Sequence, residues 1–159
     1  MTIAVRLAVS PGDFMNFRDL AIEYENSLPV DLRHADFARQ LESLEEAYAA
    51  PNAAFLAELD DVPCGCVALM ALDTSTAVMK KMYVRPDYRR RGVARALLDA
   101  FLQTSRDRGF TRIVLDTERR RLEAAYRLYA SLGFEECEPY GPVDYESPTF
   151  MQLHISLMP

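Results

Sequence analysis

Apolar positions change their spacing several times along the chain, and each change marks an element. Residues 3–9, "IAVRLAV", alternate weakly and predict a first strand. Pro11 and Gly12 end it, and Asp13 is placed to cap a helix carrying Phe14, Phe17, Leu20, Ala21 and Tyr24. The stretch from Pro29 to Ala35 interrupts that period. A second helix is expected after Asp36, with Phe37, Leu41, Leu44 and Tyr48 on one side, until Pro51 and Asn52 break it. "AAFLAELD", "GCVALMAL" and "AVMKKMYV" follow, separated by the turn sequences "DDVPC" and "DTST". They predict consecutive antiparallel strands from Ala53 to Val84.

Beyond Arg91 the period lengthens. Val93, Ala94, Leu97, Leu98, Phe101 and Leu102 recur as adjacent pairs every four residues, the core face of a helix that Gly109 can end. "TRIVLD" reads as a short buried strand. A further helix carries Leu122, Ala125, Tyr129 and Leu132 on one stripe and stops at Gly133. "FEECEPY" and "TFMQLHISL" are expected as closing strands around a loop with Pro139, Pro142 and Pro148. No repeat or linker divides the pattern, so residues 1–159 are expected to form a single domain. The element order implies an α/β layer design around one dominant sheet.

Composition adds little until charge is placed along the chain. Half of the residues are hydrophobic and about a quarter charged, an ordinary balance for a folded domain. No apolar run is long enough for a membrane span, and the start lacks the features of a secretory signal. Cys64, Cys66 and Cys137 show no CxxC spacing, which argues against a disulfide framework and a zinc site and fits a cytoplasmic chain. Cys64 and Cys66, two apart on one strand, are expected to share a face. His34 and His154 belong to no metal-ligand spacing and read as structural, so no metal is expected.

The charge is uneven. Lys80 to Arg95 contains Lys80, Lys81, Arg85, Arg89, Arg90, Arg91 and Arg95 against Asp87, a net of 7 − 1 = +6. With -6 for the whole chain, the remainder carries -6 − 6 = -12. Overall acidity disfavours nucleic acid as a partner. A strand, a turn, Gly92 and a helix N-terminus can hold a phosphate, because first-turn amides lack helical partners and the helix dipole is positive there. A solvated basic turn ahead of an ordinary helix is the alternative. Neither GxxxxGK[ST] nor GxGxxG is present, which disfavours a triphosphatase loop and a dinucleotide fingerprint. Arg119, Arg120 and Arg121 read as a solvated helix start.

"MYVRPDYRRRGVARALL" resembles the cofactor-binding signature of the GNAT superfamily of acyl-CoA N-acyltransferases, whose pattern falls on Arg89, Arg90, Arg91, Gly92, Val93 and Ala94 after Val84 and Pro86. "AAYRLYASLGFEE" is similar to the family's second helix, at Ala125, Leu128, Tyr129, Gly133 and Phe134. The resemblance implies a GNAT-like fold, a mixed, mostly antiparallel central sheet flanked by helices. It implies acetyl-CoA as co-substrate, its pyrophosphate on the amides of Arg90 to Arg95, its thioester and pantetheine along Met82, Tyr83 and Val84, and contacts at Leu122, Ala125 and Tyr129. It also implies an oxyanion donor in the Met82 amide and a proton for the departing thiolate from Tyr129, which periodicity alone leaves as a core aromatic.

Two positions depart from the family pattern. Val78 stands where relatives often carry an acid, and Leu122 where an Asn is usual. The base is therefore sought elsewhere: Glu118 and Asp116 after "IVL" lead, with Glu23 and Glu25 behind them. The expected activity is direct transfer of an acetyl group to a primary amine of a small molecule or peptide. A non-catalytic acyl-CoA-binding sensor, favoured by Val78 and Leu122, is the alternative. Acceptor contacts are expected from Ser27 to Asp36 and Tyr140 to Ser147, where Tyr140 and Tyr145 could stack on a ring. The acceptor's identity, and whether the chain forms a homodimer, are left open by the sequence.

Overall fold

A computed structural model of the chain describes residues 2–156. The strands are β1 (Ile3–Leu7), β2 (Ala53–Leu59), β3 (Val62–Ala71), β4 (Thr76–Val84), β5 (Arg112–Thr117), β6 (Glu135–Glu136) and β7 (Thr149–His154). The helices are α1 (Pro11–Ser27), the short α2 (Phe37–Gln40) and α3 (Leu44–Ala47), α4 (Val93–Asp107) and α5 (Glu123–Ser131). The strands form one sheet in the order β1-β2-β3-β4-β5-β7-β6, with only β4 and β5 parallel. This is the mixed, mostly antiparallel α/β arrangement that the resemblance implies.

Each sheet face carries its own core. On one, Val93, Leu97, Leu98 and Phe101 of α4 pack with Phe55, Val67, Leu69 and Ile113. On the other, Phe14, Phe17 and Leu20 of α1 pack with Leu44, Tyr48, Leu56, Cys66 and Tyr83. Gly65 is required where α4 crosses β3, since a Cβ there would lie 2.9 Å from the Tyr83 carbonyl oxygen and 3.1 Å from Leu97.

Several expectations are corrected. Ser10, not Asp13, caps α1: its hydroxyl accepts from the Asp13 amide, and Asp13 bonds back to the Ser10 amide, a reciprocal capping box. Hydrogen bonds from the Val9 and Ser10 amides and from Arg6 outweigh burial and hold the Asp13 carboxyl down at about 2. The expected second helix breaks into α2, a 3-10 turn and α3, because Ser43 leaves helical geometry (φ -146°, ψ 57°). Leu44 and Tyr48 turn toward the α1 core, while Phe37 and Gln40 lie against Lys81. "FEECEPY" supplies only the two residues of β6. The closing strand ends at His154; Leu157 of that expected strand lies outside the described residues.

Two bulges break the alternation of the central strands. In β3, Ala57 opposes Gly65 while Glu58 opposes Pro63, so Cys64 is the extra residue. Cys64 therefore packs on the α4 side and Cys66 on the α1 side, not on a shared face. In β4, Cys66 opposes Tyr83 while Ala68 opposes Lys80, which leaves an extra residue around Lys81, whose φ is +57°. Ala77 and Met79 belong to the α4 side before this bulge, and Met82 and Val84 after it. Tyr83 is thereby placed with α1.

The parallel pair β4 and β5 is short. Its register runs Thr76–Arg112, Ala77–Ile113 and Val78–Val114, and no pairing continues beyond Val78. Val78 itself is buried. From Met79 onward the two strands part, and the space between them is the centre of the site.

Candidate functional site

A cavity of about 960 Å³ opens at this parting. One end is walled by β4 from Met82 to Val84, by the turn into α4, and by Leu122, Ala125 and Tyr129 from the α5 region. The lining also takes in Tyr24, Leu28, Leu32 and His34 from α1 and the segment after it, Lys81 on the sheet, and Asp116 and Tyr145. The apolar stripe of α5 thus faces a cavity, and no residue of α5 is fully buried.

The arginine turn is shaped by backbone conformation. Arg90 (φ +63°) and Gly92 (φ +85°) are both left-handed, and Gly92 is the N-cap of α4. The amides of Val93, Ala94 and Arg95 occupy the first helical turn, which has no intrahelical acceptors for them. A Cβ on Gly92 would meet nothing nearer than Ile3 Cδ1 at 3.9 Å, so the turn is open above its amides. Arg89, Arg90 and Arg95 line the cavity; Arg91 does not, and its guanidinium lies over the Tyr88 ring. Arg89 Nε donates to the Val84 carbonyl at 2.9 Å, so it also fixes the end of β4.

Met82 stands out on the strand. The β3 register passes from Lys80 to Tyr83 across the bulge, and the β5 register ends at Val78, so neither ladder includes Met82. Tyr129 lines the same space, and its ring packs edge-on against Phe134 at 5.9 Å. Burial pushes its phenol well above the ordinary tyrosine value. The group stays protonated at neutral pH.

The acids separate clearly. Asp116 lines the cavity and accepts from Tyr140 at 2.5 Å and Tyr145 at 2.7 Å. Tyr145 also lines the cavity, whereas Tyr140 lies outside its lining and packs on Phe150. Glu118 is directed elsewhere: it accepts from the Arg120 amide, the Arg121 amide and Arg121 Nε, and closes the turn before α5. Burial raises its carboxyl, but these bonds win and hold it below the usual range. Glu118 does not line the cavity, and its oxygens are taken by the turn. Glu23 is clamped by Arg85 at 2.7 and 2.9 Å, which sets it aside as well.

Three side chains change their reading. His34 lines the cavity with Nδ1 at 3.0 Å from each oxygen of Glu25, which also accepts from the His34 amide. Glu25 therefore orients His34 and is itself occupied. That hydrogen bond raises the imidazole against the opposing effect of burial. Arg121, expected as solvated, lines the cavity and pairs with Glu118 and Asp31. Lys81, expected only as part of a basic stretch, is buried on the cavity wall. The spacing of His34 and Glu25 carried no signal, because a nonhelical segment folds one back on the other.

Other chemistry is weakly supported. Burial pushes the Cys66 thiol up to about 12 and raises Cys64, which suits packing and not nucleophilic attack. Among the described residues no group of three or more His, Cys, Asp or Glu side chains is arranged to hold a metal. Among them too, no helix is long and apolar enough to cross a membrane.

Residues 17–134 match the family model described as "Acetyltransferase (GNAT) family". Over 97% of its length the chain is 30% identical to an uncharacterized N-acetyltransferase of Schizosaccharomyces pombe, of which it covers 96%. Its fold is similar to that of a GNAT-family acetyltransferase from Staphylococcus aureus Mu50, with TM-score 0.80, 21% identity, and coverage of 98% of this chain and 100% of that one. It is also similar to yncA from Salmonella typhimurium, solved with its cofactor acetyl-CoA, with TM-score 0.75, 20% identity, and coverage of 98% and 95%.

Proposed function

Because this chain belongs to the acetyltransferase (GNAT) family, we propose that it moves an acetyl group from acetyl-CoA to a primary amine by direct attack. The observation that carries this reading is the parting of β4 and β5, which leaves Met82 outside both ladders and beside a cavity that also receives Tyr129 and the α4 amides. The residues present fit coenzyme A. Open backbone above Gly92, helix-dipole amides and nearby arginines suit a pyrophosphate, and the apolar α5 stripe suits a pantetheine arm.

When bound, acetyl-CoA supplies the thioester. The Met82 amide donates to its carbonyl oxygen as negative charge develops there. The amine nitrogen forms a bond to the carbonyl carbon, and the carbon–sulfur bond breaks. Tyr129 gives its phenolic proton to sulfur and regains one from solvent, while Asp116 returns to solvent the proton it takes up. The amine's proton leaves through the Tyr145 hydroxyl, which passes its own proton to Asp116 at 2.7 Å. Val78, whose identity had favoured a non-catalytic sensor, is buried where β4 pairs with β5, and Leu122 adds apolar surface to the cavity wall. A screen of amines with acetyl-CoA, read as free thiol, tests the reading. Thiol release that no amine stimulates would refute it.

The two acids should behave differently. Asp116→Asn should slow acetylation about tenfold or more near pH 7, with recovery as pH rises and more amine is already deprotonated. Glu118→Gln should lower the melting temperature and leave that pH profile in place. Rate–pH profiles and thermal unfolding of both variants check this, and a wild-type profile in Asp116→Asn would remove Asp116 from the relay.

A further inference from the structure

We propose that Lys81 anchors a carboxylate carried by the acceptor, so that the preferred amines are free amino acids with apolar side chains. The proposal rests on the acetyl-transfer reading and adds the substrate class to it. Lys81 is only 7% exposed, yet it lines the cavity. Among the described residues its Nζ has one hydrogen bond, to Gln40 Oε1 at 3.2 Å, and it sits 5.2 Å from the centre of the Phe37 ring. An ammonium carries three donors and no acceptor.

Among the described residues no carboxylate forms an ion pair with Lys81. Glu25 and Asp36 are close enough to act on it electrostatically, but Glu25 is held by His34 and Asp36 accepts from Gln40. A buried cation without a paired anion is costly, and burial lowers the ammonium's proton affinity accordingly. A carboxylate entering the cavity would complete the pair. Arg39, an exposed side chain on the same lining, adds positive charge to that wall.

Position and surroundings narrow the class further. Lys81 and Met82 are neighbours on β4 and both line the cavity, so a carboxylate held by Lys81 shares one compartment with the candidate oxyanion donor. A small acceptor that carries both an amine and a carboxylate, such as a free amino acid, fits that placement. Leu28, Leu32, Tyr48 and Met70 supply an apolar wall for its side chain. Polyamines would bring further positive charge toward Lys81, and an internal lysine of a protein would bring no carboxylate; both are disfavoured.

The experiment measures thiol release from acetyl-CoA with apolar L-amino acids, their methyl esters and the matching amines lacking a carboxylate. Rates are followed across pH and corrected for the free-amine fraction. The acids should exceed their esters by about 10- to 100-fold in kcat/KM, mainly through KM. Lys81→Met, close in length and without charge, should collapse the acid-to-ester ratio toward one. Esters or simple amines used as well as the acids by the wild-type protein would overturn the proposal, a result that needs no variant. Acetyl-CoA binding without turnover of any carboxylate-bearing amine would also overturn it, while turnover of other amines would leave acetyl transfer standing. Failure to bind acetyl-CoA would instead refute the acetyl-transfer reading itself.

Discussion

Tyr129→Phe should slow single-turnover acetylation by ~10²-fold, a typical general-acid contribution, while acetyl-CoA affinity stays close to wild type. The hydroxyl matters mainly once negative charge builds on sulfur, so removing it spares the ground state. Burial keeps the Tyr129 phenol protonated well above neutral pH, so the donor is in its active form throughout that range. Phe preserves the ring and its edge-on contact with Phe134, and stability should change little. Single-turnover acetylation of an identified amine, beside a calorimetric measurement of acetyl-CoA binding, separates the two effects. An unchanged single-turnover rate would make Tyr129 a packing residue and leave the thiolate to be protonated by solvent.

Gly92→Glu should reduce coenzyme A affinity by at least ~10²-fold, through like-charge repulsion at the phosphate position. The side chain would start in open space above the α4 amides, so no core contact is lost. The cost to folding is the left-handed φ of +85°, about 1–2 kcal/mol for a residue with a Cβ. Gly92→Ala carries that strain without the charge and should bind coenzyme A better than the Glu variant. Calorimetry on both, with thermal unfolding as a check on folding, decides the matter. Wild-type affinity in a folded Gly92→Glu protein would move the phosphate site away from this turn.

The sequence was most informative where one period governs a whole element. The paired apolar positions from Val93 to Leu102 predict α4, and its buried face agrees with them. The turn at Gly92 was legible because glycine is the residue that tolerates the backbone found there. The bulges were not legible. Inserting one residue into a strand leaves its apolar content unchanged and reverses which side later residues face. At the β4 bulge the residue with φ +57° is Lys81, with no glycine or asparagine to announce it. For the same reason Cys64 and Cys66 lie on opposite faces, although their spacing predicts a shared one.

Placing an acid at the end of a strand or helix says nothing about which groups hold it. Glu118 and Asp116 are two residues apart, yet one is bound by the turn before α5 and the other by two tyrosines from a distant loop. The pairing of His34 with Glu25 depends on a reversal after α1 that no hydrophobic period specifies.

The two ends of the cavity are built from different kinds of chain. The residues proposed for coenzyme A stand on β4 and α4, whose backbones are fixed by the β3 ladder and helical bonds. The acceptor end draws on residues 27–48, where short helices and 3-10 turns are tied across by contacts such as Ala35 with Asp144 and Asp31 with Arg121. A substitution in the first group strains the sheet or the phosphate turn; one in the second, outside the buried Leu28, Leu32, Leu44 and Tyr48, exchanges a side-chain tie for another. With the acceptor bound as proposed, substrate range can change while the acyl donor stays the same. Mutational libraries confined to residues 27–48 are the economical route to a new acceptor.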